Sequence, residues 1–117
     1  MAGEKGAVDA RALLDPDGVF PQRLTGDRGA LVGYAGDLWA LGPQAREDRL
    51  RRIATLAHRL GGAAGTFGHH AVSESALALE DEILRRRPGA ASSSWQASIQ
   101  QAIDALVLAL DESLSAR

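Results

Sequence analysis

The chain contains no cysteine, which excludes disulfides, thiolate catalysis and cysteine-ligated zinc. Aromatic residues make up only 4 % of its 117 residues, a poor supply for a sheet rich in Tyr and β-branched residues. No run of about 18 apolar residues is present to cross a bilayer. The opening Met1-Ala2-Gly3-Glu4-Lys5-Gly6-Ala7 lacks the apolar segment of a signal peptide. These two absences predict a cytoplasmic protein with no membrane partner. The net charge of -2 gives no electrostatic case for nucleic acid. No P-loop, GxSxG, HExxH or paired-carboxylate pattern occurs, and neither strand-like alternation nor an internal repeat is found.

What the chain does have is Ala, Leu, Arg and Gly, with 45 % of residues apolar. At this length one domain with one modest core is expected, and the composition favours helices packed through Leu and Ala. Residues 1–7 are small and polar and are predicted to be disordered, with a single domain over 8–117. Val8 to Leu14 reads as a short helix, ended by the turn signal Asp15-Pro16-Asp17-Gly18.

Phe20, Leu24, Leu31, Ala35 and Leu38 then recur at helical spacing, with Pro21 suited to a first turn. Gly26, Gly29, Gly33 and Gly36 oppose a helix there, each by up to about 1 kcal/mol. The expectation is a helix over 20–40, open to a break near Thr25-Gly26 and ended by Gly42-Pro43. The next helix carries one stripe of Leu50, Ile53, Ala54, Ala57, Leu60, Gly61 and Ala64, with Arg51, Arg52, Thr55, Arg59 and Gly62 largely opposite. Phe67-Gly68 reads as its ending. A third helix spans His69 to Arg87, with Val72, Ala76, Leu79 and Ile83 on its apolar face, and stops at Pro88-Gly89. Ser93 and Gln96 have capping-box spacing ahead of a last helix over 94–115. The fold class predicted is all-α: an up-down antiparallel four-helix bundle with a short additional N-terminal helix. No further apolar face is evident on these patterns, which predicts a monomer.

Within this frame one stretch, residues 56 to 68, sets a histidine among deliberately small neighbours. His58 lies on the flank of the second helix's stripe, and Gly61 and Gly62 follow one turn later, leaving space beside the imidazole. A lone histidine on a helix is most simply a half-buried, satisfied one. Here the flank position, the glycines and the arginines on the same helix favour chemistry, since imidazole is a nucleophile near neutral pH. His69 and His70 point about 100° apart on a helix and read as surface residues, with no carboxylate to complete a metal site. Glu80 lies near the apolar boundary of the third helix and can reach a group on the facing one.

At these residues the sequence resembles the histidine phosphotransfer (HPt) family, including the phosphoacceptor domain of chemotaxis histidine kinases. The family's pattern is His-x-x-Lys-Gly followed by a small-residue stretch ending in Gly, and His58, Gly62 and Ala63 to Gly68 match it. The resemblance implies that His58 is the phosphoacceptor in a phosphorelay and that Glu80 orients its ring. It implies a receiver-docking surface made by Thr55, Arg59, Gly61, Gly62, Gly65 and Gly68. Partners would be response-regulator receiver domains and a (hybrid) histidine kinase. No cofactor or metal of its own is implied, the receiver supplying Mg²⁺. Nothing resembles an ATP-binding kinase domain, so the phosphate would come from elsewhere. The family's Lys, three residues after the histidine, is Gly61 here, leaving Arg59 or the partner to supply positive charge. The alternative reading is a helical adaptor that binds receivers or a kinase without carrying phosphate.

Overall fold

The computed structural model describes residues 13–86 and 93–115. Four helices make up the fold: α1 (Phe20–Ala35), α2 (Pro43–Thr66), α3 (His70–Arg85) and α4 (Ser93–Ser115), with one 3-10 turn, Leu38–Ala40, between α1 and α2. No strand occurs among the described residues. Each helix packs on its neighbour in sequence, and α1 closes the ring against α4. The contacts at the two ends show that successive helices run antiparallel. At one end Phe20, which opens α1, stacks on Phe67 just after α2 at 4.5 Å between ring centroids. There too His69, ahead of α3, bonds through Nδ1 to Ser113 Oγ near the end of α4. At the other end Trp39 meets Trp95 edge-on at 6.0 Å, and Arg86 pairs with Glu47. The predicted up-down bundle is the observed one.

The core follows from the apolar spacing. Leu24 and Leu31 of α1, Leu50, Ile53 and Leu60 of α2, Leu79 and Ile83 of α3, and Ile99, Leu106 and Leu110 of α4 are all fully buried. Each such side chain contributes about 1.5–3 kcal/mol through burial. That is ample to override the helix-breaking glycines of α1, which runs unbroken through Gly26, where the sequence left a break open. The Asp15 carboxylate also accepts from the first free amides, Val19 at 3.2 Å and Phe20 at 2.8 Å. The helix ends at Ala35 rather than near 40, and the 3-10 turn carries Leu38 into the core. Arg49 ties this connection down, donating to the Tyr34 carbonyl and to Asp37, whose carboxyl it holds below its ordinary pKa.

Gly42-Pro43 does more than end the preceding segment, because Pro43 opens α2 at a position where its missing N–H is harmless. At the far end Gly68 adopts φ 83°. The His69 amide donates to the Ala64 carbonyl and the Gly68 amide to Gly65. That double closure is the Schellman arrangement, which favours glycine because a Cβ is strained at this φ. Gly68→Ala should therefore lower stability by about 1–2 kcal/mol, read as a lower urea midpoint with an unchanged slope.

Several expectations are corrected. His69 was expected at the surface but is only 6 % exposed, held between Phe20 and Ser113; His70 is exposed as expected. The capping box at Ser93 is displaced: Ser93 is already the first residue of α4, so the cap falls outside the described residues. Leu13 and Leu14 are helical, and the remainder of the predicted N-terminal helix lies outside the described residues. Val32 and Leu108 are exposed along an apolar groove between α1 and α4 that the sequence patterns did not mark. Among the described residues no helix is long and apolar enough to cross a membrane.

Candidate functional site

His58 projects from α2 two turns before its end, and its side chain is 70 % exposed. The stripe that buries Ala54, Ala57, Leu60 and Gly61 fixes the rotation of the helix and leaves residue 58 at the edge of α3. On α3, Ala76, Leu79 and Ile83 go into the core, which places Glu80 beside them, half-buried and facing α2. The Glu80 carboxylate meets His58 Nδ1 at 3.0 Å through one oxygen and 3.2 Å through the other. A carboxylate only accepts, so Nδ1 carries the hydrogen. The lone pair is then on Nε2, the ring nitrogen away from the carboxylate. The resemblance to the HPt family implied this pairing, and the two residues, twenty-two positions apart, are in contact.

A shallow groove of about 380 Å³ runs past the pair between α2 and α3, with Arg51, Thr55, Leu84 and Arg86 also on its walls. Leu77 and Leu84 are exposed on α3 one turn either side of Glu80, giving the imidazole an apolar border. Their signal lay in the pattern, since both fall one position off that face, where a leucine is neither core nor an ordinary surface residue.

The small residues divide into two groups, and the docking surface implied from sequence is corrected accordingly. Gly62 is exposed with open space above it. Gly61 is buried, and a Cβ there would meet Leu77 Cδ2 at 2.7 Å. Gly65, one turn on, would meet Ser73 Oγ at 3.2 Å, and that hydroxyl donates to the Gly61 carbonyl at 2.7 Å. Gly61 and Gly65 therefore clear space for α3, not for a partner, and Gly68 caps α2. Thr55 is exposed, its hydroxyl donating to the Arg51 carbonyl at 3.0 Å. Arg59 is exposed too but lies on the other flank of α2, in a groove shared with Arg52, Asp27 and Tyr34 of the α1 side. No cluster of three or more His, Asp or Glu able to hold a metal occurs among the described residues.

The site is thus an exposed imidazole anchored through one nitrogen on the second helix of an antiparallel bundle. The Hpt domain family matches the chain over residues 24–111, and the chain belongs to that family. No curated protein and no solved structure matches it. Membership assigns a histidine phosphotransfer role in a phosphorelay. Hpt domains carry a phosphoryl group, and no kinase domain is evident within these 117 residues. In general they interact with response-regulator receiver and histidine kinase domains.

Proposed function

We propose that His58 is the phosphoacceptor and that it exchanges its phosphoryl group with the aspartate of a receiver domain. The carrying observation is the His58–Glu80 pair: an exposed ring whose Nδ1 is held by a carboxylate at 3.0 Å. In the accepting step the Nε2 lone pair forms the N–P bond as the aspartyl P–O bond breaks, and the carboxylate leaves with that electron pair. The ring becomes cationic, and Glu80 stabilises it while fixing its orientation. Phosphoryl transfer needs in-line positioning and charge stabilisation, much of which the receiver's own Mg²⁺ supplies. The partner docks over Gly62 and Thr55 on α2 and over Leu77 and Leu84 on α3, with Arg59 at one rim. A relay of this kind operates in the cytoplasm.

The test is incubation of the protein with phosphorylated receiver domains, and separately with phosphoramidate, a small donor that needs no docking. Acid-labile, base-stable label on the wild type is expected. Its absence with every donor would sink the reading, and receiver binding without label would establish the adaptor instead. Glu80→Ala should slow transfer by up to about 100-fold by freeing the ring, with receiver affinity nearly unchanged. An unaltered rate would remove Glu80 from the mechanism.

A further inference from the structure

We propose that Arg51 is the cation that holds the phosphoryl group on His58, an inference that rests on the phosphoacceptor reading above. A phosphoryl group brings a charge of about -1.5 to -2. On Nε2 it would sit near the Glu80 carboxylate and between two exposed leucines, so an opposing charge is needed close by. The neighbouring cations can be taken in turn.

Arg86 borders the same groove but is 7 % exposed and committed to Glu47 and to the Ile83 carbonyl. Arg85 is paired with Asp81 at 2.9 Å. Position 61, one turn beyond the histidine, is a glycine whose side-chain space Leu77 fills. Arg52 and Arg59 border the groove on the opposite flank of α2 and not the His58 groove, whereas Arg51 borders both. Arg51 borders the His58 groove itself and is 68 % exposed. Among the described residues its ion-pair partner is Asp48, three residues earlier, at 3.4 Å. An exposed pair of that kind is worth about 0–1 kcal/mol, so the guanidinium exchanges it readily for a phosphoryl group and can bind two oxygens at once.

The spacing suits this role. Arg51 and His58 are seven residues apart on one stripe, about 10.5 Å along the axis. Both side chains lean toward the helix N-terminus, which leaves that offset unchanged, and the phosphoryl group with an arginine stem turned toward His58 spans it. Thr55 lies between them with its hydroxyl turned down to the Arg51 carbonyl, leaving the path over it low. Arg51 breaks and makes no bond. It stabilises the charge that the N–P bond brings, and so raises the fraction of His58 phosphorylated at equilibrium.

The test uses the full chain and phosphoramidate, following the phosphohistidine plateau, its half-life and its ³¹P shift. Arg51→Gln should lower the plateau by about 5-fold to 10-fold and move the ³¹P signal. Arg51→Lys should recover most of the plateau, and Arg52→Gln should stay within about 2-fold of wild type. Melting curves of all three should overlay wild type, which separates charge from fold. A plateau and ³¹P shift unaltered in Arg51→Gln would overturn the role of Arg51 while leaving His58 as acceptor. So would an equal loss in Arg52→Gln, or a lysine variant no better than glutamine. If the wild type takes no phosphate from phosphoramidate or from any phosphorylated receiver, the phosphoacceptor reading fails and the Arg51 role fails with it.

Discussion

Replacing His58 with glutamine should abolish the acid-labile label, a loss of at least about 1,000-fold, because no other side chain can replace the nucleophile. The fold should not notice. The imidazole is 70 % exposed and bonds only to Glu80 in the described structure; surface changes of this kind stay within about 0.5 kcal/mol. The glutamine amide can still donate to Glu80, so the α2–α3 contact persists. The chain has three histidines, and the other two make the variant informative. His69 is buried with Nδ1 on Ser113, out of a partner's reach. His70 is exposed but, among the described residues, has no carboxylate on its ring to fix a tautomer. Label persisting on His58→Gln would move the acceptor to His70 and overturn the assignment. Complete loss with an unchanged urea midpoint would fix it on His58.

The parts of this molecule that sequence made legible are those where periodicity alone decides the outcome. α2, α3 and α4 repeat buried residues at a helical period, so their faces follow from counting turns, whereas the pairing of His58 with Glu80 follows from the resemblance to the HPt family. α1 was harder to place because its glycines lower helix propensity, and only burial of Phe20, Leu24 and Leu31 settles the contest. The glycines beside His58 show a different limit. A glycine has no side chain whose polarity reveals where it faces, so Gly61 and Gly62 look alike in the sequence. The pattern still held a clue, since Gly61 falls on the stripe with Leu60 and Ala64, and Gly62 falls off it. Gly61 admits Leu77, while Gly62 leaves open surface. His69 was misplaced because its burial comes from the end of the bundle, where four separate segments converge and no local pattern records it.

That same end carries the largest stability effect expected. Phe20 is 3 % exposed, stacks on Phe67 with an interplanar angle of 21°, and packs 5.2 Å from the His69 ring. The Arg23 guanidinium covers its other side at 5.8 Å. Phe20→Ala should cost about 3–5 kcal/mol, the sum of lost burial and a cavity the rigid helix ends cannot close. Set against a total stability of about 5–15 kcal/mol for a domain, this is a large share, visible as a strongly lowered urea midpoint. Phe20→Leu keeps much of the volume and should cost less than about 1.5 kcal/mol. A loss below about 1 kcal/mol for the alanine variant would mean that the ring stack does not hold this end closed. Function should separate cleanly from stability here. The register of Glu80 on His58 is set by the Schellman turn and by Ser73 on the Gly61 carbonyl, both made by α2 and α3 alone. Under conditions where Phe20→Ala remains folded, phosphoramidate should therefore label it at the wild-type rate, whereas His58→Gln, at full stability, takes no label.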